Sequence, residues 1–206
     1  MKPGASAFPS SDFAGYACRL GQMLQGFDWA PVSRLAYELF DCWQTGRRVF
    51  LAGNGGSGAN ALHLANDLLC ALDKTGRSGI RAQALVTNQA VMTCLANDSG
   101  YEEVFAAQLV VLANPGDVLI AFSGSGNSAN VLRALEQARW LAMRSYAFLG
   151  YGGGKAKALV DVPIHFPIED MQLAEDAQLI AGHMILQALR RQHAHAEATA
   201  ARSHEG

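Results

Sequence analysis

The chain has little charge, and it lacks the features that mark several classes of protein. Only 17% of its 206 residues are charged and the formal net charge is −2, so no basic field favours nucleic acid or an anionic membrane. No apolar run approaches the roughly 18 residues of a membrane-spanning helix. The first ten residues contain no apolar stretch like that of a signal peptide. We therefore expect a cytoplasmic protein that binds neither nucleic acid nor membrane.

The four cysteines are scattered and form no CxxC pair. This distribution indicates free thiols in a reducing compartment, because a disulfide framework or a thiolate metal site needs closer spacing. Half of the chain is apolar, which is enough to bury a full core. We therefore expect residues 1–206 to form a single domain.

Apolar segments of two kinds alternate along the chain after residue 48. Five short runs are typical of buried strands: residues 49–52, 82–86, 118–122, 145–149 and 162–166. Segments with helical spacing lie between and after them: residues 59–72, 89–96, 128–143, 154–159 and about 172–192. This alternation predicts an α/β fold in three layers, a doubly wound five-stranded parallel sheet with helices on both faces.

The two ends of the chain fall outside this alternation. Residues 11–45 contain two segments of helical spacing separated by a break, which predicts an N-terminal helical hairpin. Its apolar stripes contain more residues than are needed to cover the sheet, which favours contacts between subunits. The residues of these stripes are Leu20, Met23, Leu24, Leu35 and Leu39. Residues 193–206 include three histidines. A metal-binding tail is one interpretation, but we expect a flexible, solvated end.

Two short loops of similar composition follow the first and third predicted strands. The first reads GNGGSGAN at residues 53–60, and the second reads SGSGNSAN at residues 123–130. Each places hydroxyls and the start of a helix at the end of a strand, where phosphates bind in parallel α/β folds. Neither is followed by the lysine of a Walker loop. The sequence predicts a site for a phosphorylated small molecule.

Four side chains suited to metal binding or proton transfer lie on two predicted helices. His63 and Asp67 are four residues apart and share one helix face. Glu175 and His183 are eight residues apart, about 12 Å along the axis, so one ion hardly reaches both unless the helix begins later in the sequence or another subunit supplies a ligand. The set is suited to a divalent metal such as zinc and offers a general base and a general acid. The alternative is that these side chains have no part in chemistry: His63 would be a core histidine, Asp67 a solvated helix residue, and Glu175 a charge favoured by the helix dipole.

Several motifs together resemble the SIS-domain (sugar isomerase) proteins, and among them the phosphoheptose isomerases. They are LAGNGGS at 51–57, LANDSGY at 95–101, PGDVL at 115–119, SGSGNS at 123–128 and the pair Gly182-His183. The resemblance implies a SIS domain and a homotetramer with active sites at subunit interfaces. It also implies aldose–ketose isomerisation of a sugar phosphate, sedoheptulose 7-phosphate to glycero-manno-heptose 7-phosphate, often with zinc.

The resemblance also implies roles for individual residues. Asp67 falls where the family has its glutamate base, and His183 falls on the histidine that serves as acid. The implied zinc ligands are His63, Asp67, Glu175 and His183, with Glu175 at a position where glutamine is common. The implied phosphate and substrate contacts are Asn54, Gly55, Gly56, Ser57, Asp98, Ser123, Gly124, Ser125, Asn127 and Ser128.

Four positions depart from the family pattern. Asp67 is one methylene shorter than glutamate, Glu175 adds a negative charge, Gly124 replaces a threonine, and Ala71 stands where an arginine is usual. We expect these changes to alter the preferred sugar more than the sugar-phosphate class, with weak or changed activity on sedoheptulose 7-phosphate. The alternative is a non-catalytic SIS protein that binds a sugar phosphate or a regulatory partner such as a replication initiator. Retention of both histidines and an acid at position 67 favours the enzyme.

Overall fold

The computed structural model describes residues 9–70, 72 and 78–204, with side chains as far as residue 196. The strands are β1 (Arg48–Gly53), β2 (Arg81–Ala84), β3 (Val118–Ser123), β4 (Arg144–Leu149) and β5 (Val162–His165). The helices are α1 (Ser10–Gln25), α2 (Ala30–Thr45), α3 (Gly55–Cys70), α4 (Gln89–Asp98), α5 (Ala106–Leu112), α6 (Ala129–Trp140), α7 (Ala156–Leu159) and α8 (Met171–His204). A 3₁₀ turn, Tyr101–Glu103, precedes α5.

All five strands are parallel and lie in the order β2-β1-β3-β4-β5, which confirms the predicted doubly wound sheet. The chain runs outward from β1 to β2 and then returns to β3 on the other side of β1. Gly53 at the end of β1 pairs with Phe122 of β3. The two glycine–serine loops therefore lie side by side at the switch point, where ligands of such sheets bind.

Alternate residues of the strands face two separate apolar layers. Leu51 and Ile120 face the layer covered by α2, α3 and α8, whereas Phe50 and Leu119 face the layer covered by α5 and α6. All four side chains are fully buried, and burial of each stabilises the fold by about 1.5–3 kcal/mol. This double burial explains the continuous apolar strands and fixes the strand ends that carry the loops. No helix in the described part of the chain has the length and apolarity needed to cross a membrane.

The predicted N-terminal hairpin is formed by α1 and α2. Leu35 and Leu39 of α2 are fully buried against the sheet, so our expectation that they are surplus to the core was wrong. All of α1 is described, and none of its residues is buried. The Tyr16 hydroxyl anchors α1 to α8 by donating to the Asp176 carboxylate at 2.6 Å.

Two regions of the chain differ from the sequence-based expectation. The segment after residue 192 was expected to be flexible, but α8 continues to His204, and the His193 ring stacks on Trp43 of α2 at 4.2 Å. Its alanine-rich sequence favours a helix. The 3₁₀ turn and α5 were not predicted, because the seven residues of α5 contain adjacent valines and are too few to show helical periodicity.

Candidate active site

A cavity of about 260 Å³ lies between the two glycine–serine loops at the ends of β1 and β3. All but two of the predicted phosphate and substrate contacts line it: Asn54, Gly55, Gly56, Ser57, Ser123, Gly124, Ser125 and Ser128. Phe122, Met171 and Glu175 complete the described lining. No lysine or arginine is among these described lining residues. An anion bound here would be held by hydroxyls, backbone N–H groups and helix N-termini.

Internal hydrogen bonds orient two serine hydroxyls of the second loop. The Ser123 oxygen accepts from the N–H of Gly126 at 3.1 Å, and the Ser125 oxygen accepts from the N–H of Asn127 at 3.2 Å. A hydroxyl that accepts in this way still has its own hydrogen to donate. Both serines can therefore donate to an anion in the cavity.

Two helices begin at the cavity. Gly55 has φ +53° at the start of α3, a left-handed conformation that glycine adopts readily and that turns the chain from β1 into the helix. Ser128 precedes α6, and its side chain makes no capping hydrogen bond, so its hydroxyl is available to a ligand. The partial positive charge of both helix ends is directed to the same cavity.

Two predicted contacts lie outside this cavity. The amide oxygen of Asn127 accepts from the N–H of Lys155 at 3.0 Å and braces the second loop against the loop that follows β4. Asp98 is exposed at the end of α4, where it accepts from Asn97 at 2.7 Å and from the Cys94 thiol at 3.4 Å. These hydrogen bonds lower the pKa of the Asp98 carboxyl and raise the pKa of the Cys94 thiol.

A second cluster joins His63 and Asp67 of α3 to His183 of α8. The Nε2 atoms of the two histidines are 2.9 Å apart. The Oδ2 atom of Asp67 is 3.4 Å from Nε2 of His63 and 3.8 Å from Nε2 of His183. A tetrahedral zinc with bonds of about 2.0–2.1 Å separates its ligand atoms by about 3.3 Å. The three separations between the ligand atoms are close to this value, so these residues could hold one zinc ion.

Glu175 does not join this cluster within one chain. Because α8 is continuous from Met171, Glu175 and His183 remain about 12 Å apart along the helix axis. The Glu175 carboxylate lies instead against Gly56 in the first turn of α3, where a Cβ would overlap it. The structure therefore brings together three of the four predicted metal ligands and places the fourth in the phosphate-type cavity.

A buried polar contact aligns α3 with α8. The Asn60 amide donates to the backbone carbonyl of Glu175 at 2.9 Å and to the Gln178 side chain at 3.2 Å. Gly182 of α8 faces the Leu64 side chain of α3. These contacts hold the two helices at the separation across which the histidine–aspartate cluster forms.

The chain is similar to known proteins over most of its length. The SIS domain model matches residues 13–150. The phosphoheptose isomerase of Trichlorobacter lovleyi is 37% identical over 156 residues, covering 76% of this chain and 79% of that protein. That of Helicobacter pylori is 40% identical over 148 residues, covering 72% and 77%. The structure of phosphoheptose isomerase from Neisseria gonorrhoeae matches with a TM-score of 0.80 at 29% identity, covering 87% of this chain and 95% of that one. The chain belongs to the phosphoheptose isomerase family of SIS-domain proteins.

One departure from the phosphoheptose isomerase pattern has a structural partner. The Met171 thioether occupies the space that a side chain at Gly124 would need. The family's usual threonine at position 124 would require the flexible Met171 side chain to move. Sequence reasoning found Gly124 and missed Met171, because 47 positions separate them and nothing local marks the methionine. Ala71, the departure from arginine, lies outside the described residues.

Two further residues that sequence reasoning missed hold Asn54 at the rim of the cavity. The side chains of Asn54 and Asn130 exchange two hydrogen bonds of 2.8 Å, and the Tyr101 hydroxyl donates to Asn54 at 3.0 Å. Both residues belong to segments singled out in the sequence, at residues 95–101 and 123–130. Their spacing gave no sign that they converge on one amide.

Proposed function

We propose that this protein is a sugar-phosphate aldose–ketose isomerase that converts sedoheptulose 7-phosphate to glycero-manno-heptose 7-phosphate through an enediol. The observation that carries the proposal is the cluster of His63, Asp67 and His183 in a chain of the phosphoheptose isomerase family. A protein that only bound a phosphosugar would need the serine-lined cavity, but it would have no use for an acid–base cluster.

The reaction needs a base, an acid and a group that stabilises the enediolate oxygen. In the proposed scheme, Asp67 removes a proton from C1 of the ketose while His183 protonates the carbonyl oxygen at C2. The enediol then loses its O1 proton and regains a proton at C2, which gives the aldose. Asp67 is nearly buried with a side chain 12% exposed, and His183 is 46% exposed, so the base is sheltered and the acid remains accessible to substrate.

We also propose a divalent metal, zinc, held by His63, Asp67 and His183. The spacing of their ligand atoms is close to that between the ligands of a zinc ion, and Glu175 of the partner subunit is the candidate for a further ligand. With an ion bound, Nε2 of His183 would carry no proton, and the ion would take the place of that proton in stabilising negative charge on the C2 oxygen of the substrate. The ligand side chains sit on two helices that are already fixed by the contact of Asn60 with α8, so the site is formed largely before an ion binds.

We propose a homotetramer with active sites at subunit interfaces. Large apolar side chains are exposed on the two helices that carry the cluster: Leu62 (42%) and Leu69 (53%) on α3, and Met184 (42%) on α8. Exposed apolar groups around a polar cluster favour an interaction surface. Such an interface would bring the cluster of one protomer to the cavity of another, which accounts for the separation of Glu175 from His183 within a single chain.

Mixing two impaired variants at a substrate concentration below KM tests the shared site. Asp67→Asn removes the base and Ser125→Ala weakens the phosphate cavity, so each variant alone is expected to be impaired. If sites are shared, assembling the two chains together restores a fraction of wild-type turnover. Some interfaces then combine an intact Asp67 from one chain with an intact Ser125 from the other. Activity of the mixture equal to the sum of the separate variants would contradict an interfacial site, and a monomer mass in light scattering would refute the tetramer.

We propose that the protein works in the cytoplasm. Its four cysteines are unpaired, and three of them are exposed, a state that a reducing compartment preserves. Fractionation of cells that express the protein at its natural level would test this location.

Asp67→Asn tests the proposed chemistry. Removing a general base is expected to lower kcat on sedoheptulose 7-phosphate by at least about 100-fold and to leave the affinity for inorganic phosphate unchanged. Asp41→Asn is the control, because Asp41 lies on α2 and its carboxylate pairs with Arg47, away from the cavity and the cluster. Wild-type turnover in Asp67→Asn would show that Asp67 is not the base.

A further inference from the structure

Asn54 lines the phosphate-type cavity, whereas the two side chains that hold it do not. Asn130 lies in the first turn of α6 and is 2% exposed, so its amide is shielded from solvent and from any ligand. Tyr101 lies in the 3₁₀ turn before α5 and is 55% exposed. Three elements that are distant in sequence therefore converge on one side chain at the rim of the cavity.

The hydrogen-bonding capacity of Asn54 is almost fully used by these partners. Its oxygen accepts from the Asn130 amide at 2.8 Å and from the Tyr101 hydroxyl at 3.0 Å, which occupies both lone pairs. Its nitrogen donates one hydrogen to the Asn130 oxygen at 2.8 Å. One N–H of Asn54 is left, and it can only donate. A donor at this point suits a phosphate or sugar oxygen, whereas a rotated Asn54 would present its carbonyl oxygen and repel the anion.

The same pair of hydrogen bonds connects the two glycine–serine loops. Asn54 ends the turn after β1, and Asn130 belongs to the helix that follows the second loop. Because a buried amide must be paired, Asn130 links the two walls of the cavity across the switch point of the sheet. We infer that Asn130 and Tyr101 are positioning residues, which hold Asn54 as a hydrogen-bond donor to the phosphosugar. The inference rests on the proposed function.

A double-mutant cycle on sedoheptulose 7-phosphate binding tests this inference. Asn130→Ala should weaken binding about 10-fold, the loss of roughly one net hydrogen bond, and should raise KM with little change in kcat. In an Asn54→Ala background the same substitution should cause no further loss, because Asn130 acts through Asn54. Calorimetry measures the dissociation constants of the cycle, and steady-state kinetics measures the effects on kcat and KM.

Tyr101→Phe provides a second variant that leaves the buried amide pair intact. It removes one hydroxyl from an exposed ring, so the fold should persist, and binding should weaken about 3-fold only when Asn54 is present. Tyr37→Phe is the matched control, because it removes a hydroxyl from another exposed ring (77%) on α2 and should leave binding unchanged. If Asn130→Ala does not fold, the Tyr101 and Asn54 cycle decides the question.

The outcomes separate the inference from the proposed function. Equal losses with and without Asn54, or no loss in either single variant, would overturn the positioning role while wild-type binding and turnover stand. If the wild type binds neither sedoheptulose 7-phosphate nor inorganic phosphate, the proposed function fails and the inference fails with it.

Discussion

Replacing Glu175 with glutamine should tighten phosphate binding. The Glu175 carboxylate lies over Gly56 at the N-terminus of α3 and lines the cavity that contains the serine hydroxyls. In the free chain this carboxylate therefore occupies a helix end that favours an anion. A phosphate entering the cavity must approach it or displace it, and no lysine or arginine among the described lining residues offsets the repulsion.

The size of the effect follows from Coulomb's law. Two unit charges 4 Å apart interact by about 1 kcal/mol in water and about 4 kcal/mol near a protein surface. Glu175 is only partly buried and the cavity is open to solvent, so the lower part of this range applies. We expect about 1–2 kcal/mol, which corresponds to roughly 5- to 30-fold tighter binding of inorganic phosphate by Glu175→Gln.

Calorimetric titration with phosphate in the presence of a chelator measures this effect without contributions from a metal. The difference between wild type and Glu175→Gln should shrink as salt is added, because salt screens charges in an open cavity. Glu136→Gln is the control, since it removes an equally negative, exposed side chain on α6 that does not line the cavity. Unchanged or weaker phosphate binding by Glu175→Gln would refute the electrostatic reasoning.

Three further predictions concern the cavity, the metal and the core. Ser125→Ala should weaken phosphosugar binding by roughly 5- to 10-fold through loss of a hydroxyl donor, and unchanged affinity would exclude that contact. His63→Ala and His183→Ala should each reduce zinc content in elemental analysis, and full content in both would remove the site. Burial raises the pKa of the Cys42 thiol to about 12, so its stabilising effect is complete below pH 9 and is lost as the pH rises towards 12. The melting temperature of the wild type should therefore fall more between pH 8 and 11 than that of Cys42→Ala, and equal falls would count against this effect.

The sheet and the loops could be predicted because their signals are local. The apolar runs of β1 and β3, each followed by small residues and a helix, specify buried parallel strands whose ends lie together. The helical spacing of His63 and Asp67 placed them on one face of α3, and their meeting with His183 followed from the family resemblance. These features depend on periodicity over a few residues, which the sequence displays directly.

Contacts between distant segments could not be predicted in this way. Met171 beside Gly124 and the Glu175 carboxylate beside Gly56 depend on how α8 crosses the sheet, which no local pattern specifies. The exchange of hydrogen bonds between Asn54 and Asn130 depends on the register of β1 against β3. Alanine-rich sequence after residue 192 was interpreted as a frayed end, yet its helical propensity and the stacking of His193 on Trp43 extend α8.

The most direct test of the central claim is the conversion of sedoheptulose 7-phosphate by the purified wild-type protein in D2O, followed by NMR. The account predicts that an aldose phosphate forms and carries deuterium at C2, because Asp67 and the half-exposed His183 exchange their protons with solvent. Binding of sedoheptulose 7-phosphate without any aldose product, with zinc present, would contradict the account.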